Sequence, residues 1–219
     1  MFWYQYLSLG CLLICFCACS WHFRRLIRLG KPKDLSKKSG NIARAEVYSY
    51  TAAMLPTQKE SAYLHIPTFT AGVLFHIGTF IGLLLFIVFF FVSPTVFNDY
   101  KMSKILEILI LLMLLGLTIG IICGFILFLK HFFSKTLRAL STLDDYLSCF
   151  LTTVFQLFTA LYLIFEDDFA VYYYIVASVL LLYLPVGKLR HVVYFFAARY
   201  QLGFFYGWRN SWPPPPPKK

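Results

Sequence analysis

Charge is what this sequence has least of. Only 14% of its 219 residues are Asp, Glu, Lys or Arg, against about 25% in a soluble domain. Just ten residues are acidic, too few for a solvated surface. No Gly-rich phosphate loop, nucleophile–base pair or metal-hydrolase motif occurs. Six cysteines are present, none at the CxxC spacing of a zinc site or haem attachment. Four of them, Cys11, Cys15, Cys17 and Cys19, fall in the first apolar run and read as small buried hydrophobes. A signal peptide carries its positive charges ahead of its apolar stretch. Met1 to Trp21 has none, and Arg24, Arg25 and Arg28 follow it, which is the order of an anchored helix.

Apolar residues are abundant: 59% hydrophobic, 20% aromatic, with a mean hydropathy of +0.69. Five apolar stretches approach the ~20 residues needed to cross a bilayer: 2–21, 67–92, 105–129, 146–165 and 169–194. In lipid the backbone must satisfy its own hydrogen bonds, so these are read as helices. The expected fold is an all-α membrane protein with five transmembrane helices. It divides into a first helix (1–21), a basic cytoplasmic loop (22–66), a four-helix bundle (67–195) and a tail (196–219) ending in five prolines. The net charge of +10 would suggest nucleic acid in a soluble protein. Here the basic residues lie between apolar runs, so lipid is the partner and nucleic acid is not. Segments 22–64, 130–142 and 188–219 hold 18 of the 20 Lys and Arg residues. The positive-inside rule therefore places the N-terminus outside and the C-terminus in the cytoplasm. Trp3 and the run Tyr172–Tyr173–Tyr174 are expected in an interfacial aromatic belt.

Ionisable side chains inside a membrane helix are expensive. His76 lies about 12 Å inside the second helix at 1.5 Å per residue, with Gly72 and Gly78 close by. His191 lies near the cytoplasmic end of the fifth apolar stretch. Two neutral imidazoles from opposite sides suit a haem iron. Lys130, His131, Lys188 and Arg190 stand near the same water boundary, where propionates need cations. The plainer alternative is a hydrogen bond from His76 to a neighbouring helix and a snorkelling His191.

Three stretches carry a resemblance: Leu74–Phe75–His76–Ile77–Gly78; Leu129–Lys130 with Phe133–Ser134, Arg138–Ala139 and Asp144 or Asp145; and Pro185, Lys188–Leu189, His191 with Arg199–Tyr200–Gln201–Leu202. In order and spacing, residues 65–205 resemble the cytochrome b gamma subunit of respiratory nitrate reductase and related subunits of heterodisulfide-reductase-like complexes. The resemblance implies a multi-pass subunit of the bacterial inner membrane. Such a subunit passes electrons between menaquinone or ubiquinone and a cytoplasmic iron–sulfur protein, and is not a complete enzyme. His76 and His191 match the ligands of the family's cytoplasmic-side haem. In the family the outer haem's first ligand lies ten residues after the first histidine, on the same helix face, and its second lies eighteen residues before the last; these positions hold Phe86 and Tyr173 here, so one haem b is expected. A quinone-site lysine of the family falls at Lys101 or Lys104. Two readings compete: a second haem on His65 and His131, and a cofactor-free anchor for a soluble complex. A transporter or channel would place more charge at mid-membrane than Glu107.

Overall fold

The apolar stretches are helices, as a backbone with no water to bond requires. The computed structural model describes residues 2–30, 35–55, 64–92 and 104–214. Lys101, Lys31, Lys33 and the end of the proline run (Pro215–Lys219) lie outside the described residues. Eight α-helices are described: α1 (Trp3–Arg28), α2 (Ile42–Tyr50), α3 (Ile66–Val88), α4 (Lys104–Phe133), α5 (Lys135–Leu140), α6 (Leu143–Phe165), α7 (Asp167–Tyr183) and α8 (His191–Trp208). Among the described residues there is no strand. Four helices are long and apolar enough to cross a membrane: α1, α3, α4 and α6. A fifth crossing exists only if α7 and α8 count as one interrupted span.

That interruption departs from the expected helix over 169–194. Apolar composition continues through Leu184–Pro185–Val186–Gly187, but the helix stops. Pro185 has no N–H to donate, which ends an α-helix. The amides of Val186 and Gly187 both turn back onto the Tyr183 carbonyl, at 3.0 and 2.9 Å. A 3₁₀ turn over Lys188–Arg190 follows. His191 therefore opens a new helix instead of closing the fifth one.

The chain forms two units, Met1–Phe16 with Pro67–Leu189, and Cys17–Ile66 with Arg190–Lys219. In the first, α4 packs on α6 and α6 on α7. Helix α3 meets α4 at two glycines. A Cβ on Gly78 would come 2.9 Å from the Gly120 Cα, so only two glycines allow this approach. Gln156 of α6 lies across the crossing, fully buried. Its Nε2 donates to the Phe75 carbonyl (3.2 Å) and to Thr79 Oγ1 (2.8 Å). Beyond it lies an aromatic core. Tyr162 stacks on Tyr173 (4.8 Å between ring centroids), Phe89 meets Tyr162 edge-on (5.0 Å), and Phe86 lies 6.2 Å from Tyr173. Tyr4 of α1 stacks on Tyr174 (5.5 Å), and the Tyr174 hydroxyl donates to the Phe89 carbonyl (3.1 Å). Tyr173 and Tyr174 are thus core residues. Of the run Tyr172–Tyr173–Tyr174 only Tyr172 is exposed, because successive residues on a helix point about 100° apart, while Trp3 is exposed as expected.

In the second unit, the segment expected to be a basic loop contains α2, which packs on α8. Ala45 and Ser49 of α2 are buried, and Gly203 and Gly207 of α8 receive them. A Cβ on Gly207 would fall 2.6 Å from the Ala45 Cβ, and one on Gly203 2.6 Å from the Glu46 Cα. The Ser49 hydroxyl donates to the Arg199 carbonyl at 2.8 Å. The expected tail from 196 onward is helical as far as Trp208.

Candidate functional site

His76 projects from the middle of α3 on an exposed stripe with Val73, Ile77, Phe80 and Leu84. Its Nδ1 lies 2.7 Å from the Gly72 carbonyl, one turn back. A carbonyl can only accept, so Nδ1 carries the proton and donates. Nε2 then keeps its lone pair, and among the described residues no hydrogen bond engages it. The space beside Gly72 is open; an added Cβ would have no atom within 4 Å. A ligating histidine usually anchors its second nitrogen on a carbonyl in this way. The donor chemistry of His76 therefore fits an axial haem ligand. His131 has the same pattern, with Nδ1 2.9 Å from the Leu127 carbonyl.

Phe86 does not share the face of His76. Ten residues at about 100° each leave an offset near 80°, and the structure buries Phe86 while exposing His76. Tyr173 is fully buried beside it. The two positions assigned to an outer haem hold aromatic rings packed against each other and against Phe155.

Three of the four expected propionate partners meet at one rim of the first unit, around the head of α6. Lys130 Nζ donates to Thr68 Oγ1 at the start of α3. The Tyr146 hydroxyl donates to the His131 carbonyl at 3.2 Å. Lys188 forms an ion pair with Asp145. Asp145 is doubly used, since its other oxygen accepts the Thr142 amide at 2.9 Å and caps α6. Lys188 is thus held by a carboxylate while its side chain stays half exposed. Thr68 precedes His76 by eight residues, about 12 Å along the helix axis. Arg190 and His191 belong to the second unit, where Arg190 is the N-cap of α8 and His191 its first residue, both exposed. Lys104 opens α4 and is exposed. His65 belongs to the second unit and His131 to the first.

Sequence reasoning passed over Gln156 and Tyr183, and named Asp145 without giving it a role. The Tyr183 hydroxyl lies 3.0 Å from Ser148 Oγ and contacts the Asp144 carboxylate, tying the end of α7 to the head of α6. For Gln156 a signal was present: an amide in the middle of an apolar run is itself an anomaly. No family model, curated protein or solved structure matches this chain. Among the described residues, four to five helices are long and apolar enough to span a bilayer, which is compatible with a multi-pass membrane protein.

Proposed function

We propose that this protein is a membrane cytochrome b subunit that carries electrons between a quinone and a cytoplasmic iron–sulfur partner through one bis-histidine haem b. One observation carries the reading. His76 sits mid-helix on an apolar stripe, with Nδ1 held by the Gly72 carbonyl and Nε2 open. An imidazole presented to a membrane without a partner would be destabilising, and an iron is a partner that neutral imidazole suits.

In this reading His76 and His191 would hold the haem iron. Haem b, when bound, supplies a one-electron iron couple whose potential the axial ligands and burial tune. The Gly72 carbonyl fixes the tautomer and ring orientation of His76. Lys130, His131, Lys188 and Arg190 are the cations available to propionates. The packed Phe86 and Tyr173 support one haem rather than two. Menaquinone or ubiquinone is the membrane reductant or oxidant, with Lys101 or Lys104 as its candidate contact. The bacterial inner membrane, with the N-terminus outside, is the location that charge asymmetry supports.

The test is a reduced-minus-oxidised spectrum of the purified full chain. A haem b α-band at one haem per chain is expected, lost in His76→Ala and kept in His22→Ala, with helicity by circular dichroism unchanged in both. A helical, colourless wild-type protein would end this reading. A cofactor-free anchor is the second reading, favoured by the charge partition. The second unit holds 14 of the 20 Lys and Arg and only 3 of the 10 acidic residues, a surface suited to an acidic partner. The same spectrum separates the two.

A further inference from the structure

The second unit carries an open apolar cavity of about 790 Å³, inside the range of roughly 300–1,000 Å³ typical of ligand pockets. Two helical stripes form its walls. Phe23 and Ile27 come from the last turns of α1, Tyr194, Ala197 and Gln201 from α8, and Tyr50 closes one side. Both tyrosine hydroxyls bond inside the unit. Tyr50 donates to the Phe196 carbonyl (2.6 Å), and Tyr194 pairs with His22 Nδ1 (3.2 Å). With these groups engaged, the lining presents mostly hydrocarbon and ring faces, which suits an alkyl chain better than a polar metabolite.

The surroundings are cationic. The first apolar run ends at Trp21, so the cavity begins where α1 leaves the hydrocarbon region. Exposed Arg24 and Arg28 flank the lining residues Phe23 and Ile27 at that level. On the other wall Arg199, between the lining residues Ala198 and Tyr200, turns its guanidinium over the Phe195 ring, 5.6 Å from the centroid. Among the described residues of this unit Glu46 is the one carboxylate, and its backbone packs against Gly203 of α8. An apolar slot opening among arginines at the membrane boundary is complementary to a lipid with a negative headgroup.

We propose that this cavity holds one acyl chain of an anionic phospholipid, with Arg24 and Arg28 receiving its phosphate. The site is independent of any haem. It would fasten the cationic unit to the inner leaflet through a specific lipid rather than through diffuse attraction alone.

Native mass spectrometry of the full chain in detergent tests it, by titration with dioleoylphosphatidylglycerol, dioleoylphosphatidylcholine and decylubiquinone. One phosphatidylglycerol should bind about tenfold more tightly than phosphatidylcholine. Arg24→Gln/Arg28→Gln should erase that preference while leaving chain binding, and Ala197→Phe should weaken binding of both lipids. Circular dichroism shows whether Ala197→Phe remains helical; if it does not, the arginine variant alone decides. Equal affinity for the two lipids, unchanged in the arginine variant, would mean ordinary annular lipid and overturn the proposal. Decylubiquinone binding that excludes phosphatidylglycerol would overturn it in favour of a neutral quinone.

Discussion

Three glycines of α3 and α4 show how much a single hydrogen matters in this protein. Gly72 and Gly78 are six residues apart on α3, yet one faces open space and the other the Gly120 Cα. Gly72→Ala should therefore be neutral or stabilising by up to ~1 kcal/mol, since alanine restricts the unfolded chain. Gly78→Ala must separate two helices and displace Gln156, so a loss of about 1–3 kcal/mol is expected, the usual cost of overpacking. Unfolding in mixed detergent micelles measures both, and equal effects would refute the crossing. Gln156 adds a polar lock. Small residues that bring helices together and amides that bond across them are the usual means of association in lipid. At this scale the sequence identified His76 as anomalous but not Gln156. It also assigned Phe86 to the face of His76, although the ten-residue spacing already sets the two about 80° apart, and packing buries one while exposing the other.

At the scale of elements, the junction after α7 is the feature with the most consequences. Gly187 lies against the Tyr183 ring; a Cβ there would come 2.3 Å from the Tyr183 Cζ. The ring cannot retreat freely, because its hydroxyl is held by Asp144 and Ser148. Gly187→Ala should destabilise the first unit, and Tyr183→Ala should do so as well by releasing the head of α6. The double variant should cost clearly less than the sum, because removing the ring removes the collision; coupled neighbours commonly deviate from additivity by 0.5–3 kcal/mol. A thermal-shift measurement on the four proteins closes the cycle. Strict additivity would show that Gly187 does not close over Tyr183. The Lys188–Asp145 pair nearby contributes less, since Lys188 is half exposed and such pairs are worth at most about 1 kcal/mol. Helix α2 is a similar lesson. Its short sequence between basic residues read as loop, and its helix is stabilised by burial of Ala45 and Ser49 against α8.

For the whole molecule, the uneven charge is the governing quantity. The second unit carries 14 of the 20 basic residues, and basic segments stay on the cytoplasmic side during insertion. A phosphatase reporter that is active only outside the cytoplasm should be active when fused before Met1 and inactive when fused after Pro214. The opposite pattern would invert the orientation and place His76 in the outer half of the bilayer. Helical class, the number of apolar runs and the distribution of cations were all determined by the sequence alone. Each depends on local composition, summed over a window about as long as the bilayer is thick. The pairing of α2 with α8, the capture of Lys188 by Asp145 and the burial of Tyr173 were decided only by tertiary structure. Those outcomes depend on which distant residues meet, and on whether one Cβ or one amide hydrogen fits between them, which hydropathy does not register.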